Sequence, residues 1–140
     1  MKPIDCEYCK ETGGELLWQD ERCRIVRIDD ADYPGLCRVI WFSHVREMSD
    51  LSDIDRRHLM EIVFAVERAL RETLSPFKIN LASLGNVTPH LHWHVIPRFR
   101  NDRHFPKPIW TTPERDSLAR ELSRHWQSEL TAAVLRLSDR

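Results

Sequence analysis

The distribution of apolar residues in the first third of the chain predicts a β-hairpin. Residues 22–28 and 36–42 are rich in isoleucine, valine and aromatic side chains, as strands usually are. Residues 29–35 between them carry aspartate, proline and glycine, which are common in turns. We therefore expect the two apolar runs to pair as neighbouring strands.

The next part of the chain has the apolar spacing of a helix. Apolar residues recur at three- and four-residue intervals from Leu59 to Leu70, which is the helical period. Ser52 is the candidate N-cap, and Asp55 lies in the predicted first turn. The helix is expected to end near Ser75 and Pro76, because proline does not continue a helix.

Two further strands are predicted after this helix. They cover residues 78–84 and 90–96 and are separated by a bend at Gly85-Asn86. Pro97 is expected to end the second of them. Residues 98–111 contain two prolines among charged residues and are predicted to form an irregular connection.

The C-terminal part of the chain predicts a second helix. Thr112 is the candidate N-cap, and Pro113 suits the first helical position. The apolar residues at helical spacing that follow are Leu118, Leu122, Trp126, Leu130, Ala133 and Leu137. This order of elements predicts an α+β fold with a largely antiparallel sheet, one long central helix and an additional C-terminal helix.

The composition is that of a single globular domain. The 140 residues are 41% hydrophobic and 31% charged, which is ordinary for such a domain. A mean hydropathy of -0.49 and apolar runs far shorter than a bilayer span exclude a membrane protein. The formal net charge of -1 argues against polymeric nucleic acid or an anionic membrane as a partner. Residues 1–5 do not open a signal peptide, so a cytoplasmic location is predicted.

The glycines exclude two common kinds of phosphate site. Only four are present, Gly13, Gly14, Gly35 and Gly85. They form neither the GxGxxG loop of dinucleotide-binding folds nor the GxxxxGK[ST] loop of nucleoside triphosphatases. A phosphate site in this chain must therefore use other groups.

Three histidines at alternate positions, His90, His92 and His94, are the most informative feature. Side chains alternate between the faces of a strand, so all three imidazoles are expected on one face. An ordinary solvated face explains them poorly, because imidazole has no special strand preference and close rings repel when protonated. Two interpretations remain open. The rings hold a metal ion, or one neutral ring attacks phosphorus while a neighbour donates hydrogen bonds to the phosphate.

Cys6 and Cys9 have the spacing of a metal chelate, because two thiolates three positions apart can bind one zinc ion. This signal is weak on its own. Two reduced cysteines near a chain end are the plain alternative.

The run from His90 to Arg98 resembles the signature of the histidine triad (HIT) family, in which histidines alternate with apolar residues. Asn80, Gly85-Asn86 and a hairpin followed by His44 match the same family in order, with the long helix between them. The resemblance covers about residues 6–102. It implies that residues 1–112 form a HIT domain and that residues 113–140 are a helical extension of it.

The resemblance also implies a reaction. HIT proteins are nucleotide hydrolases and transferases in which the middle histidine, here His92, attacks the α-phosphate and forms a covalent nucleotidyl-histidine. His94 is then expected to hydrogen-bond the phosphate or leaving group, and histidine instead of glutamine there favours hydrolysis. His90 completes the catalytic triad. The expected substrate is a dinucleoside polyphosphate or a nucleoside phosphoramidate, with no catalytic cofactor.

Further roles follow from the same resemblance. Asn80 and Asn86 are expected to contact phosphate, and Asp29, or Asp30 next to it, is expected to hold the ribose hydroxyls. Cys6, Cys9, His44 and His90 are expected to bind a structural zinc ion. A homodimer is expected by analogy. Two alternatives stay open: a nucleotidyltransferase or phosphorylase with the same intermediate, and a zinc-containing nucleotide-binding interaction module without turnover.

Overall fold

A single antiparallel sheet organises the fold in the computed structural model, which describes residues 5–139. Residues 1–4, on which the prediction about a signal peptide mostly rests, lie outside the described residues. The strands are β1 (Glu15–Gln19), β2 (Cys23–Arg27), β3 (Cys37–Trp41), β4 (Lys78–Ala82) and β5 (His92–Arg98). Their order across the sheet is β1-β2-β3-β5-β4, and all neighbours are antiparallel. The predicted α+β fold is confirmed.

In residues 5–139 three α-helices accompany the sheet, namely α1 (Glu7–Lys10), α2 (Asp53–Leu74) and α3 (Trp126–Ser138). The predicted capping of α2 is confirmed, because the Ser52 hydroxyl accepts a hydrogen bond from the Asp55 N–H at 3.2 Å. At its other end Ser75 takes the left-handed conformation, with φ 49°. None of the described helices is both long and apolar enough to span a membrane.

The two faces of the sheet differ in chemistry because side chains alternate along each strand. One face carries apolar residues such as Ile25, Val39 and Val95, and it packs against α2 and α3 in the main core. The residues in between, including Val26 and Ile40, form the other face. Helix α1 covers part of that second face in a small separate cluster. The histidines of β5 therefore lie on a face that is only partly covered.

Strand β5 begins and ends later than predicted. It starts at His92, so the prediction that all three histidines lie in one strand is wrong for His90. The backbone of Leu91 bonds instead to Trp41 and to the carbonyl of Val45, beyond the end of β3. Pro97 lies inside the strand, in a part that pairs with β4 only, where a missing N–H is tolerated.

The predicted start of the C-terminal helix is also wrong. Helix α3 begins at Trp126, and residues 112–125 are irregular. That segment has only two apolar side chains at the predicted spacing, and one of them, Leu118, is exposed. Helix α3 itself adds Leu130, Ala133 and Val134 to the main core. The boundary between residues 112 and 113 stays a prediction.

Candidate functional site

His92 and His94 lie side by side on the partly covered face of β5. Both are buried, and their ring centroids are 4.9 Å apart. The register places His92 opposite Ile40 of β3 and His94 opposite Arg38. The alternation of strand side chains thus brings two of the three predicted imidazoles together.

A backbone carbonyl fixes the tautomer of His92. Its Nδ1 lies 2.6 Å from the carbonyl oxygen of His90. A carbonyl only accepts hydrogen bonds, so Nδ1 carries the proton and Nε2 keeps its lone pair. Burial is the main cause that lowers the pKa of His92, against the opposing effect of this hydrogen bond. The ring is therefore neutral at pH 7 and can act as a nucleophile without losing a proton first.

The His94 ring is held by its neighbours rather than by the backbone. Burial is the main cause that lowers the pKa of His94 to about 4, and electrostatic repulsion of a second proton beside His92 and Arg38 acts in the same direction. Its ring contacts Trp110 with a centroid distance of 4.9 Å. Within residues 5–139 no hydrogen bond to this ring selects a tautomer. His94 is thus a neutral group whose proton can be on either nitrogen.

A cavity of about 350 Å³ opens beside the two histidines. Its lining includes His92, His94, Asn86, Tyr8, Arg38 and Trp110. The loop before β5 forms one side, and its bend uses the left-handed conformation of Gly85, with φ 73°. Asn86 lies in the same lining as the two histidines, and its expected contact with phosphate stays a prediction.

The other two predicted substrate contacts lie elsewhere. Asn80 lines a neighbouring cavity of about 670 Å³, which shares Trp110 with the first, and its Oδ1 accepts a 2.8 Å hydrogen bond from Arg98. Asp29 is exposed in the connection between β2 and β3 and lines neither cavity. The roles of both residues stay predictions.

A buried ion pair anchors the loop that carries Trp110. Arg98 donates to both carboxylate oxygens of Asp102, at 2.8 and 3.0 Å, and Asp102 also accepts from the backbone N–H groups of Phe99 and Phe105. Burial acts to raise the pKa of Asp102. These hydrogen bonds outweigh it and hold that pKa at about 2. The loop is therefore fixed to the same strand that carries the histidines.

A second group of side chains has the geometry of a zinc site. Cys6 is the N-cap of α1 and Cys9 lies within that helix, while His44 follows β3 and His90 precedes β5. The Nδ1 of His90 lies 3.4 Å from the Cys6 sulfur, 3.5 Å from the Cys9 sulfur and 3.2 Å from the His44 Nδ1. Ordinary zinc bond lengths give a mixed sulfur and nitrogen tetrahedron with edges of about 3.3–3.8 Å. The four residues fit the metal.

The orientation of His90 agrees with that fit. Its Nε2 lies 2.5 Å from the carbonyl oxygen of Trp41, so Nε2 carries the proton and Nδ1 faces the thiols. Such a backbone acceptor typically orients a metal-binding histidine.

A third group, Asp20, Cys23 and His58, also places potential ligand atoms close together. Here the groups satisfy each other. The Asp20 carboxylate accepts from the backbone N–H groups of Arg22 and Cys23 and lies 2.6 Å from the His58 Nε2. Burial strongly raises the pKa of the Cys23 thiol, so it keeps its proton. This group fastens the turn after β1 to helix α2.

Tyr8, Arg38 and Trp110 are site residues that the sequence reasoning missed. The Tyr8 ring lies 4.9 Å from the His92 ring and 5.9 Å from the His90 ring, between the two histidine groups. Arg38 has one local signal, since it is the single charged residue in the apolar strand β3. Tyr8 and Trp110 have none, because only the tertiary fold brings them to β5.

Comparison with known proteins gives one family. A family model described as the HIT domain matches residues 10–101. The AP-4-A phosphorylase of Mycobacterium tuberculosis (strain CDC 1551 / Oshkosh) is 30% identical over 78 residues, which are 51% of this chain and 40% of that protein. The chain therefore spans less than half the length of that relative. "Protein hit" of Bacillus subtilis (strain 168) is 23% identical over 121 residues, 80% of this chain and 83% of that protein.

Solved structures agree with this match. A histidine triad protein from Bradyrhizobium japonicum has a TM-score of 0.70 and 28% identity, and covers 87% of this chain and 90% of its own. A Zn-bound histidine triad family protein from Mycobacterium smegmatis has a TM-score of 0.66 and 20% identity, with 97% of each chain covered. At that identity the second likeness concerns the fold alone.

Proposed function

The chain belongs to the HIT domain family, and on that premise we propose that it is a nucleotide hydrolase acting at the α-phosphate through a covalent intermediate on His92. The expected substrates are dinucleoside polyphosphates or nucleoside phosphoramidates. The observation that carries the proposal is the His92 ring, whose Nδ1–H is bound by the His90 carbonyl while its other nitrogen is free to react beside an open cavity.

In the first step the Nε2 lone pair of His92 attacks the α-phosphorus. A phosphorus–nitrogen bond forms, and the bond to the leaving group breaks with its electron pair on the leaving group. The His92 ring becomes positively charged, which strengthens its hydrogen bond to the His90 carbonyl. His94 donates a hydrogen bond to the phosphate or the leaving group.

In the second step water attacks the same phosphorus. A phosphorus–oxygen bond forms, the phosphorus–nitrogen bond breaks with its electron pair on Nε2, and the nucleoside monophosphate leaves while the attacking water releases one proton to the solvent. Asn86 contacts the phosphate from the loop before β5. Asn80 contributes the N–H donors of its amide, since its oxygen already accepts from Arg98, and Asp29 holds the ribose.

Cys6, Cys9, His44 and His90 bind a structural zinc ion in this proposal. The metal would crosslink α1 to the segments that follow β3 and precede β5, and it takes no part in the reaction. The four ligand residues affect the nucleophile through the backbone, because the carbonyl of His90 is the acceptor that orients His92.

The AP-4-A phosphorylase of M. tuberculosis supports a second candidate, in which phosphate replaces water in the second step. Product analysis separates the two. A hydrolase converts diadenosine tetraphosphate to AMP and ATP whether or not phosphate is added. A phosphorylase needs phosphate and produces ADP and ATP. If the wild-type protein gives no product from diadenosine tetraphosphate under either condition and none from a nucleoside phosphoramidate, a zinc-containing binding module without turnover takes the place of both.

We also propose a homodimer formed along β4. This strand is at the edge of the sheet, so within the described part of the chain one side of its backbone has no strand partner. One face of α2 carries Phe64, Glu67 and Arg71. On that face, Glu67 and Arg71 line cavities together with β4 residues. Phe64 is about half exposed on that face. Light scattering at micromolar concentration should give twice the chain mass, and a monomer would contradict the dimer.

Residues 113–140 are proposed to be an extension of the same domain. Helix α3 buries Leu130 and Val134 completely against the main core. A chain that ends at residue 112 should therefore unfold at a markedly lower temperature. Unchanged thermal unfolding would show that the extension is a separate unit.

A further inference from the structure

Arg38 lies directly beside the proposed nucleophile. It is in the middle of β3, opposite His94 in the register, and it lines the same cavity as His92 and His94. Its neighbours along the strand, Cys37 and Val39, are fully buried on the opposite face. The strand therefore places one guanidinium among the imidazoles.

The hydrogen bonds of Arg38 are incomplete. One terminal nitrogen donates to the Tyr8 hydroxyl at 2.7 Å. The Nε is buried and has no hydrogen-bond partner, and Arg38 forms no ion pair within residues 5–139. An unsatisfied buried donor on a charged group is costly, so such an arrangement points to a missing acceptor.

Two buried arginines show the contrast. Arg24 donates to three backbone carbonyls around α1, at 2.9 to 3.0 Å. Arg98 binds both oxygens of Asp102. Each of these side chains donates at least three hydrogen bonds within the described residues, whereas that of Arg38 donates one, to the Tyr8 hydroxyl.

Arg22 and Arg103 also have a buried Nε without a hydrogen-bond partner, but carboxylates compensate their charges. Arg22 pairs with Asp55 and Arg103 pairs with Asp32 through another nitrogen. Among the arginines with an unpartnered Nε in the described part of the chain, Arg38 is the one without a carboxylate.

We propose that Arg38 binds the phosphate of the nucleotide and is the fixed positive charge of this site. Tyr8 is a positioning residue that holds the guanidinium through its hydroxyl. The proposal rests on the proposed function for the nature of the ligand, a nucleoside phosphate. The neutral rings of His92 and His94 donate or accept hydrogen bonds but bring no charge to a phosphate, and an arginine fork supplies both charge and geometry.

The remaining charged group at this cavity is Glu7. Its side chain is exposed at the cavity, and its Oε2 accepts a 3.2 Å hydrogen bond from the Thr88 hydroxyl. The carboxylate is thus tied to the loop before β5 and leaves Arg38 available to an incoming anion. The charge of Arg38 also helps to keep the pKa of His94 low, after burial and His92.

The test compares the binding of AMP and adenosine to the full-length protein by isothermal titration calorimetry. Wild type should bind AMP more tightly than adenosine. Arg38→Met should lose roughly 10- to 100-fold in AMP affinity, the typical worth of a charge-assisted hydrogen bond, while adenosine affinity changes less than about threefold. Arg38→Lys, which keeps the charge without the fork, should lose an intermediate amount.

Equal losses for AMP and adenosine would overturn the proposal, because Arg38 would then contact the nucleoside. No loss for either ligand would also overturn it. If Arg38→Met does not fold, Arg38→Lys and Tyr8→Phe carry the same comparison. Tyr8→Phe keeps the ring against His92 and should weaken AMP alone, by roughly threefold to tenfold.

Turnover distinguishes this proposal from the proposed function. Wild type that binds AMP through Arg38 but produces no AMP from diadenosine tetraphosphate would contradict only the hydrolase. If wild type turns over diadenosine tetraphosphate but Arg38→Met binds AMP as tightly as wild type, only the role of Arg38 is contradicted.

Discussion

His90 and His92 are two residues apart, and different chemistry is proposed for them because each donates an N–H from a different ring nitrogen to the backbone. His90 donates Nε2–H to the carbonyl of Trp41 and presents Nδ1 to the thiols. His92 donates Nδ1–H to the carbonyl of His90 and keeps Nε2 free. The position of the nearest carbonyl therefore determines which ring nitrogen keeps the lone pair that a metal ligand or a nucleophile needs.

His90 links the nucleophile to the metal group, which consists of Cys6, Cys9, His44 and His90. The His90 ring belongs to that group, and the His90 carbonyl orients His92. Substitutions in the metal group should therefore slow the reaction indirectly. Substitution of His92 should leave metal binding unchanged.

The largest effect is expected from His92→Ala. Removal of the nucleophile should reduce turnover of diadenosine tetraphosphate by at least about 10⁴-fold. Zinc content and thermal unfolding should match those of wild type, because His92 is not a ligand. The matched control is His125→Ala, which alters an exposed histidine outside the site and should leave all three measurements unchanged. Substantial turnover in His92→Ala would show that His92 is not the nucleophile, and the proposed difference in role between His90 and His92 would be wrong.

A smaller effect on turnover is expected from Cys9→Ser. The variant should lose most of its zinc, as measured by metal analysis, and should unfold at a lower temperature. Turnover should fall by about 10- to 100-fold, since His90 loses its fixed position and orients His92 less well.

Lys10→Ala, in the same turn of α1 but exposed, is the control for Cys9→Ser. If Cys9→Ser keeps its zinc, the proposed ligand set is wrong. If Cys9→Ser loses as much turnover as His92→Ala, the metal group is as essential to the reaction as the nucleophile, and the proposed separation of their roles is wrong.

The smallest effect concerns the pH dependence of stability. The pKa of His94 is about 4 in the folded protein and about 6.5 in an unfolded chain. Between those values the unfolded state binds the proton and the folded state does not, so stability falls as pH decreases. For His94 the loss is at most about 3 kcal/mol. His90 and His92 also have lowered pKa values and contribute to the same fall in stability. The contribution of His94 is therefore the difference between wild type and His94→Gln in how much the free energy of unfolding falls.

Urea unfolding at pH 7 and pH 4.5 measures that difference. The free energy of unfolding should fall less in His94→Gln than in wild type. Identical losses in the two proteins would mean that His94 is not held neutral by burial.

Much of the fold follows from local patterns. The period of α2, its Ser52 cap and its end at Ser75 are all visible in the sequence and confirmed in the structure. The C-terminal helix was predicted too early, because helical spacing alone does not show whether Leu118 has a core to pack against. Strand alternation likewise predicted one face for three histidines, but a change of backbone partner at Leu91 separates His90 from the others.

The site was less accessible to sequence reasoning. Residues that meet in the metal group are up to 84 positions apart, so no local pattern brings all four together. The spacing of Cys6 and Cys9 predicted a chelate, and the addition of His44 and His90 to it came from the resemblance. Tyr8 and Trp110 reach the histidines through α1 and through the loop fastened by Asp102. Their roles depend on tertiary contacts that have no sequence spacing.

The different roles proposed for His90 and His92 are tested most directly by mass spectrometry of the intact protein. The protein is mixed briefly with diadenosine tetraphosphate and measured in neutral, non-denaturing buffer. Wild type should carry one zinc ion and gain the mass of one nucleotidyl group. His92→Ala should carry the same zinc ion and gain nothing. A nucleotidyl group on His92→Ala, or its absence from wild type while AMP accumulates in the same mixture, would contradict the account.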